Sequence, residues 1–463
     1  MEEINADEFY QLMSSETILH ENYIIKIEKR FIADISKITY GNQFRNCRFE
    51  GERLDFDDFL VENKKENIHY FSFNNCSFNN EIYFVGCHLQ EIRFTDCSFS
   101  KSLNITGCNI NEFRLDKIKL DRKDKTFIAL NNSDINRYCS FTNIKHLYKF
   151  LLNRTNFQFV KSHDFVIDNL DITNCTFEKT FQFTENTIKD KGYFKYNTFE
   201  KTNFFNSDFG KYSEFRDNDF NGTALFNNVK DLQKTELKFR SCKFSKYAYF
   251  NNAELNHLNL DTSKFIEFSS FQDTIFETIF IDRTVFENLT FFDDIKIKKI
   301  NECNRRTIRN IKQQLLRSDN NIDYDVFKSY ELQAHRLEIA KKSKFYRLNK
   351  DWIILKVGAH FSSNGLSWSR AVLWTFLWSM TLYSIFYWHY YSNFGIENLD
   401  LSKYDKFLVG YFRYLIPTDF YNPFESNRIF LNNPMDWLLL IIGKIVIAIG
   451  LFEIIKSFRK FKK

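Results

Sequence analysis

Proline is nearly absent from this sequence of 463 residues, and glycine is scarce. There are 3 prolines and 13 glycines, and Pro417, Pro423 and Pro434 all lie in the last tenth of the chain. This composition excludes a collagen-like protein and a low-complexity linker. Because 44% of the residues are hydrophobic and 18% are aromatic, intrinsic disorder is excluded as well. The long proline-free part indicates a structure in which nearly every backbone N–H donates a hydrogen bond.

Signatures of catalysis and metal binding are also missing. The sequence contains no G-x-S-x-G, H-E-x-x-H, G-x-x-x-x-G-K-[ST] or G-x-G-x-x-G motif. Its 9 histidines are scattered, and none stands at ligand spacing from a cysteine. We therefore predict that the protein is not an enzyme and has no catalytic residue, cofactor site or metal site.

The acidic N-terminus lacks the apolar run of a signal peptide, and the 9 cysteines form no C-x-x-C pair. Both features predict a reducing compartment for most of the chain. Positive charge is concentrated at the other end, where residues 296–463 carry 27 Lys and Arg against 14 Asp and Glu. This surplus indicates a phosphate-bearing surface as a partner, either a membrane or a nucleic acid.

Large apolar residues recur every five residues, with occasional steps of six, through most of the first two-thirds of the chain. The recurrence runs over residues 73–120, 172–226 and 239–292, and most of its members are phenylalanine. This period matches neither the about 3.6 residues of a helix nor the about 2 of a strand. It matches a chain that turns a corner every five residues and buries one large side chain per side.

Four such sides make one coil, and equivalent residues recur at a spacing of 21, as Phe73, Phe94 and Leu115 do. Stacked at roughly 4.8 Å, about twelve coils over residues 40–295 would form a rod about 60 Å long. A small residue often stands two positions before the large one, as in Phe73-x-x-Cys76-x-Phe78. Interleaving large and small side chains gives a dense interior, and the polar residue between them suits an outward turn.

Two cysteine pairs share the 21-residue spacing, Cys76 with Cys97 and Cys87 with Cys108. Stacked in neighbouring coils, each pair would lie within disulfide range. The alternative, which we favour in a reducing compartment, is that cysteine serves as a small apolar filler.

This repeated order of a small, a polar and a large apolar residue resembles the pentapeptide-repeat family. The resemblance covers about residues 40–295 and implies a mainly β fold, a right-handed quadrilateral β-helix. Residues 1–39 would form an N-terminal cap and first coil, with a short helix over 6–13 covering the sheet edge. Where the period weakens we expect loops that leave the rod, at residues 51–70, 121–170 and 227–238.

From Glu302 onward the apolar spacing becomes helical, with a break at residues 318–321. It predicts a basic helical hairpin that covers the open end of the β-helix. Residues 345–361 place apolar side chains among Lys and Arg, which predicts an interfacial amphipathic helix. An ordinary solvated helix is the alternative. Together these helices occupy residues 300–361.

Residues 362–463 contain two apolar segments long enough to cross a bilayer. Segments 371–391 and 437–455 would span about 31 and 28 Å as helices, and Trp368, Trp388 and Trp437 mark their ends. Buried helices of a soluble protein are the alternative. Lys and Arg concentrate on both outer flanks rather than in the connection, which places both termini on the cytoplasmic side.

The layout resembles bacterial membrane pentapeptide-repeat proteins, some of which carry a two-span, ion-channel-like C-terminal region. The resemblance is carried by the order of the β-helix, the hairpin, Gly365-Leu366-Ser367-Trp368 before the first span, Asn422-Pro423, and Gly443-Lys444 inside the second. It implies a bacterial inner (cytoplasmic) membrane location with the β-helix and C-terminus in the cytoplasm. Anionic lipid then explains the basic surplus, and no nucleic acid is expected as a partner.

Four charged residues are membrane or pore candidates: Lys444, Glu453, Arg413 and Asp419. An ammonium inside a span is costly, so Lys444 either lines a polar seam in an oligomer or packs and snorkels between helices. Glu453 lies on the opposite face of the same helix and is expected to reach Lys456 or the headgroups.

Residues 407–417 are too short to cross, and we expect them to lie flat on the outer surface, with a re-entrant pore-type segment as the alternative. Gly443, Ala448 and Gly450 predict close helix packing, either with the first span or between subunits.

Three functions follow as hypotheses. The first is a membrane-anchored binding or scaffold protein, with an unknown protein partner on the β-helix faces. The second is an oligomeric channel or pore-forming effector that the β-helix gates, with a role in stress or anti-phage defence. The third, which the family resemblance implies, is a topoisomerase-binding DNA mimic. It ranks last because such mimics need a strongly acidic face, whereas residues 40–295 carry 33 basic against 37 acidic side chains. The lipid bilayer and a homo-oligomer are the expected partners.

Overall fold

The computed structural model describes residues 1–38, 40–58, 69–120, 126–230, 235–342, 345–392, 402–425 and 429–459. The chain divides into two compact units, Met1–Asn310 and Ile311–Lys463. The first unit is mainly β and the second is helical.

The first unit is a parallel β-solenoid of about 13 turns. Its strands over the described residues are Glu2–Asn5, Leu19–Glu21, Tyr23–Ile27, Phe31–Asp34, Asn42–Arg45, Arg48–Gly51, Arg53–Asp57, Tyr70–Asn74, Ser77–Phe78, Glu81–Val85, His88–Thr95, Ser98–Phe99, Leu103–Thr106, Asn109–Asp116, Lys119–Leu120, Phe127–Asn131, Asp134–Asn153, Asn156–Thr173, Thr176–Thr184, Thr187–Lys195, Thr198–Phe199, Thr202–Asn203, Tyr212–Arg216, Asp219–Phe220, Ala224–Leu225, Glu236–Arg240, Lys243–Phe244, Ala248–Tyr249, Glu254–Asp261, Lys264–Phe265, Ser269–Ser270, Ile275–Asp282, Val285–Phe286, Thr290–Phe291 and Lys296–Ile297.

The predicted 21-residue stacking is confirmed by the strand register. Phe73 pairs with Phe94, and Phe94 pairs with Leu115, each in a parallel ladder. Four segments of one turn pair with the corresponding segments of the next: 77–78 with 98–99, 82–85 with 103–106, 88–89 with 109–110, and 91–95 with 112–116. Each turn therefore presents four sides to its neighbours.

The predicted five-residue period is a burial pattern. Every member of the five-residue recurrence lies buried in the solenoid, with the exception of the half-buried Leu120. Because parallel strands lie about 4.8 Å apart, equivalent rings are forced face to face. Phe244 thus stacks between Phe220 and Phe265, with ring centroids 4.5 Å from each.

The small residues do more than fill space. All nine cysteines are buried free thiols, as the filler interpretation expects. The thiol of Cys97 donates to the carbonyl oxygen of Phe73 in the preceding turn at 3.3 Å. Ser207 and Asn218 make the corresponding bonds to the carbonyl oxygens of Phe183 and Phe194, both at 2.7 Å. In these turns the small side chain therefore also satisfies a buried carbonyl group, whereas Ala253 at the same position only fills space.

The chain turns two residues before the position that the sequence predicted. The residue between the small and large positions begins a strand, as Ser77 does. The left-handed backbone instead occurs directly before the small residue, at Asn75 with φ of 53° and at Asp96 with φ of 52°. Asn and Asp tolerate this conformation better than most residues, which explains the polar character of the corner.

The predicted loop over 121–170 is wrong from residue 127 onward. Three strands, Phe127–Asn131, Asp134–Asn153 and Asn156–Thr173, continue the solenoid, and only residues 121–125 fall outside the described part. One turn here is longer, since Ile110 pairs with Ile135 and the register shifts after Ile110. The bulges shift the phase of the five-residue period without breaking the pairing. Of the other two predicted loops, residues 59–68 and 231–234 are not described, while Arg53–Asp57 and Glu236–Arg240 are strands.

The predicted N-terminal helix is confirmed. Helix α1, Ala6–Ser14, begins with a capping box between Asn5 and Glu8. Its buried Phe9 packs on the rings of Phe44 and Phe49, at 5.5 and 5.7 Å. The helix therefore closes the interior of the first turns.

The remaining helices follow the solenoid. They are α2 (Arg305–Arg317), α3 (Asn321–Lys342), α4 (Lys350–Ser362), α5 (Trp368–Ser392), α6 (Ser402–Leu415) and α7 (Pro434–Phe458), with short 3-10 turns at Ile35–Lys37, Ile300–Glu302 and Tyr346–Leu348. The break predicted at 318–321 is confirmed by the end of α2 and the start of α3. Within the first unit, the Thr307 hydroxyl at the start of α2 accepts from the backbone N–H of Ile281 at 2.8 Å.

Among the described residues, one helix, α7, is long and apolar enough to cross a membrane. Helix α5 has comparable length and no Lys, Arg, Asp or Glu between residues 371 and 391. Its Trp, Tyr, Ser, Thr and His residues make it less apolar, and the first span remains a prediction.

Candidate functional site

Helices α5 and α7 form an antiparallel pair in the second unit. Near one end Trp368 of α5 stacks on Phe458 of α7, with ring centroids 5.5 Å apart. At the other end the His389 Nδ1 atom lies 2.9 Å from Asp436 Oδ1. The two apolar segments recognised in the sequence are therefore direct neighbours along their whole length.

Helix α6 packs lengthwise on this pair. The Tyr383 hydroxyl of α5 donates to the carbonyl oxygen of Phe407 at 3.0 Å, and the hydroxyls of Ser379 and Tyr411 lie 2.9 Å apart. Gly410 of α6 makes this approach possible, because an added Cβ would overlap the Tyr383 hydroxyl. Successive turns of α6 thus contact successive turns of α5, in opposite directions.

The end of α6 reaches the middle of the helix pair. Tyr411 meets Ser379, the twelfth of the 25 residues of α5, and Tyr414 meets Gly443, the tenth of the 25 residues of α7. Helix α6 therefore packs against the middle of both helices, and the prediction that residues 407–417 lie flat on an outer membrane surface, with a re-entrant segment as the alternative, stays a prediction. Aromatic and hydroxyl contacts hold α6 against α5, and no local sequence pattern reveals them.

Lys444 lies where α6 ends. Its Nζ atom donates to the carbonyl oxygens of Tyr414 at 2.8 Å and Ile416 at 2.7 Å, and lies 5.3 Å from the centre of the Tyr414 ring. Only 5% of the residue is exposed. The last carbonyl groups of a helix have no partner within the helix and carry partial negative charge. The ammonium supplies a donor to both oxygens, and the Ile416 oxygen also accepts from the backbone N–H of Asp419 at 3.2 Å. These bonds offset part of the cost of burying the charge.

The two predicted packing glycines face different partners. A Cβ on Gly443 would overlap the Tyr414 hydroxyl of α6, and one on Gly450 would overlap Thr375 of α5. Ala448 lies on the exposed side of α7. The close contacts at both glycines are thus made within one chain, whereas Ala448 faces outward from it.

Glu453 is buried on the other side of α7. Its carboxylate accepts a hydrogen bond from the Ser362 hydroxyl of α4 and lies 3.2 and 3.3 Å from Lys456 Nζ. The sequence indicated Lys456 as a partner, but it gave no sign of Ser362. Helix α4 passes close to the carboxylate at Gly358, where an added Cβ would lie at an ordinary contact distance of 3.7 Å from Glu453 Oε1.

Arg413 and Asp419 flank the end of α6. An Arg413 guanidinium N–H donates to the carbonyl oxygen of Glu425 at 2.7 Å, and Asp419 Oδ1 accepts from the backbone N–H of Tyr421 at 3.1 Å. The Asp419 carboxylate also acts electrostatically on Lys444. Both residues therefore shape the segment that follows α6.

His360, which the sequence did not single out, fixes α4 against α5. Its ring lies 4.3 Å from the Trp374 ring, and the Trp378 indole N–H lies 3.1 Å from its Nε2 atom. Burial, together with the charges of Arg370 and Lys356, lowers the pKa of this imidazole. The neutral ring can then accept the indole hydrogen bond.

In the described ranges, no group of three or more His, Cys, Asp or Glu side chains is placed to hold a metal ion. Fold and site together define a parallel β-solenoid repeat protein followed by a helical unit with an apolar C-terminal helix. Comparisons with protein families, with curated proteins and with solved structures found no match to this chain.

Proposed function

We propose that the chain is a two-span membrane protein of the pentapeptide-repeat type. In this proposal the solenoid is a right-handed quadrilateral β-helix in the bacterial cytoplasm, and α5 and α7 are the two spans. Several subunits together form an ion-conducting pore from their α5, α6 and α7 helices.

Membrane insertion is supported by the outer surface of the helices. Large apolar side chains stay exposed along all three: Leu373, Leu377, Trp378, Ile385, Leu408, Phe412, Leu438, Ile441, Ile445 and Phe452. An exposed apolar surface of this extent is rare in soluble monomers and typical of lipid or subunit contacts. The basic flanks of α4, α5 and α7 then face the cytoplasmic headgroups.

The observation that supports the pore is the packing of α6 against the middle of the α5 and α7 pair. A simple anchor needs two spans and no third helix ending at half depth. A short helix at membrane depth is tolerated where it is buried in protein or lines a water-filled path. Because one copy of α5, α6 and α7 cannot enclose a conduit, the proposal requires an oligomer.

Reconstitution of the purified full-length protein into planar bilayers tests the proposal. We expect discrete conductance and a closed oligomer in native mass spectrometry. Gly410→Leu, which prevents α6 from approaching Tyr383, should abolish the conductance, whereas Val409→Leu on the exposed side of α6 should retain it. A monomer without conductance would refute the proposal.

A scaffold function is the second candidate, and one wall of the solenoid favours it. Tyr247, Tyr249, Phe268 and Phe291 form a continuous row of partly exposed rings, with neighbouring centroids 5.1 to 6.3 Å apart. Rings of this kind anchor many protein interfaces. If the row binds a protein, Tyr247→Ser with Phe268→Ser should remove specific partners in a pulldown from solubilised membranes. Recovery of the same partners by the wild type and the double variant would argue against this function.

A further inference from the structure

The surroundings of Lys444 have the composition of a binding site for a small cation. Two carbonyl oxygens lie 2.7 and 2.8 Å from its Nζ atom, and the Tyr414 ring lies at 5.3 Å. The Asp419 carboxylate adds negative potential. Carbonyl dipoles and aromatic faces bind potassium and ammonium ions in proteins by replacing their hydration shell.

The site does not depend on Lys444 for its shape. Tyr414 is held against Gly443, and the α6 turn before it is fixed by the contact between Tyr411 and Ser379. The carbonyl oxygens of Tyr414 and Ile416 therefore keep their direction when the ammonium leaves. Without the ammonium both oxygens would lose a donor, although the Ile416 oxygen would still accept from the backbone N–H of Asp419 at 3.2 Å. The loss of a donor in a buried place is costly and would favour another cation.

We propose that this is a monovalent-cation site and that the Lys444 ammonium is its tethered occupant. A potassium or ammonium ion occupies the site when the lysine side chain is withdrawn or removed. The inference rests on the proposed pore, and it assigns that pore to cations, with Lys444 as the group that holds the site closed in this conformation.

Cation-dependent stability of the full-length protein in detergent tests the site without conduction. Lys444→Met removes the ammonium and keeps an unbranched side chain. We expect potassium or ammonium chloride to raise its thermal midpoint over choline chloride at equal ionic strength, with saturation. Wild-type protein should show no such difference. Lys456→Met, which removes a lysine of the same helix away from α6, is the matched control and should also show none.

Equal midpoints of Lys444→Met in potassium and choline would overturn the proposal. If this variant does not fold in either salt, the same comparison is made with Lys444→Ala, whose short apolar side chain leaves the two carbonyl oxygens open to a cation. An identical midpoint of that variant in the two salts would be equally decisive against the site.

Ion flux into liposomes separates this inference from the pore itself. Lys444→Met should increase potassium flux relative to wild type and leave chloride flux unchanged. A rise in chloride flux alone would refute the assignment to cations. If neither protein conducts but the potassium-dependent midpoint persists, the pore is wrong and the cation site stands.

Discussion

Removal of one stacked ring should locally destabilise the solenoid. Phe244 is 1% exposed and stacks at 4.5 Å on Phe220 and on Phe265. Phe244→Ala deletes the ring and leaves a cavity between two turns that the parallel ladders prevent from closing. Substitutions of this kind cost about 3–5 kcal/mol. Solenoid turns interact mainly with their neighbours, so the loss should stay near the mutated turn.

Hydrogen–deuterium exchange followed by mass spectrometry of the full-length protein measures this loss. Amides in 236–270 should exchange roughly 10² to 10⁴ times faster than in the wild type, since each about 1.4 kcal/mol corresponds to a factor of ten. Amides in 82–116, several turns away, should be unaffected.

Phe205→Ala is the matched control, because this phenylalanine points out of the solenoid and is 40% exposed. Its effect should stay within about 0.5 kcal/mol. Equal loss of protection in both variants, or unchanged protection in Phe244→Ala, would refute the argument that stacked interior rings hold the turns together.

Three further outcomes are expected. Burial raises the pKa of Cys175 and Cys242 to about 12, so both thiols should resist iodoacetamide at pH 8 until guanidinium is added, as mass spectrometry can show. Burial lowers the pKa of His20, whose Nε2 lies 2.9 Å from the Asn42 side-chain oxygen. The unfolded chain, with an imidazole pKa of about 6.5, then binds the proton first. The urea midpoint should fall as the pH drops below about 6.5, and less so in His20→Gln. Finally, Gly443→Ala should lower the thermal midpoint in detergent because the added methyl group overlaps Tyr414, whereas Ala448→Val on the exposed side should not.

For each of these three predictions, one result would contradict it. Rapid alkylation of the native protein would show that the solenoid opens to solvent. A pH profile that is the same in His20→Gln would assign the acid sensitivity to other groups. Equal midpoints of Gly443→Ala and the wild type would mean that α6 does not rest on α7.

The interior of the solenoid was readable from the sequence because each residue's position in the turn recurs at a fixed distance along the chain. Burial follows that period, and the 21-residue spacing gives the partner in the next turn, as at Phe73 and Phe94. The period is lost after residue 120, in a longer turn where Ile110 pairs with Ile135 and Glu112 pairs with Tyr138. A local pattern cannot distinguish such a phase shift from a loop.

The exact position of the corner in each turn could not be predicted from the sequence either. Polar residues flank the small position on both sides, and composition alone does not say which of them turns the chain. The left-handed backbone at Asn75 settles the choice.

The sequence by itself therefore determined the features that repeat along the chain or depend on neighbouring residues. These are the solenoid, the capping helix, the position of the helices and the apolar character of α7. What only the tertiary structure decided is which surfaces meet. Lys444 is an unpaired charge in the sequence, and its partners are carbonyl oxygens 28 and 30 residues away, which carry no side-chain signature. Glu453 likewise meets Ser362, 91 residues distant. Backbone groups are the same in every residue, so contacts that use them become visible only when the helices are packed.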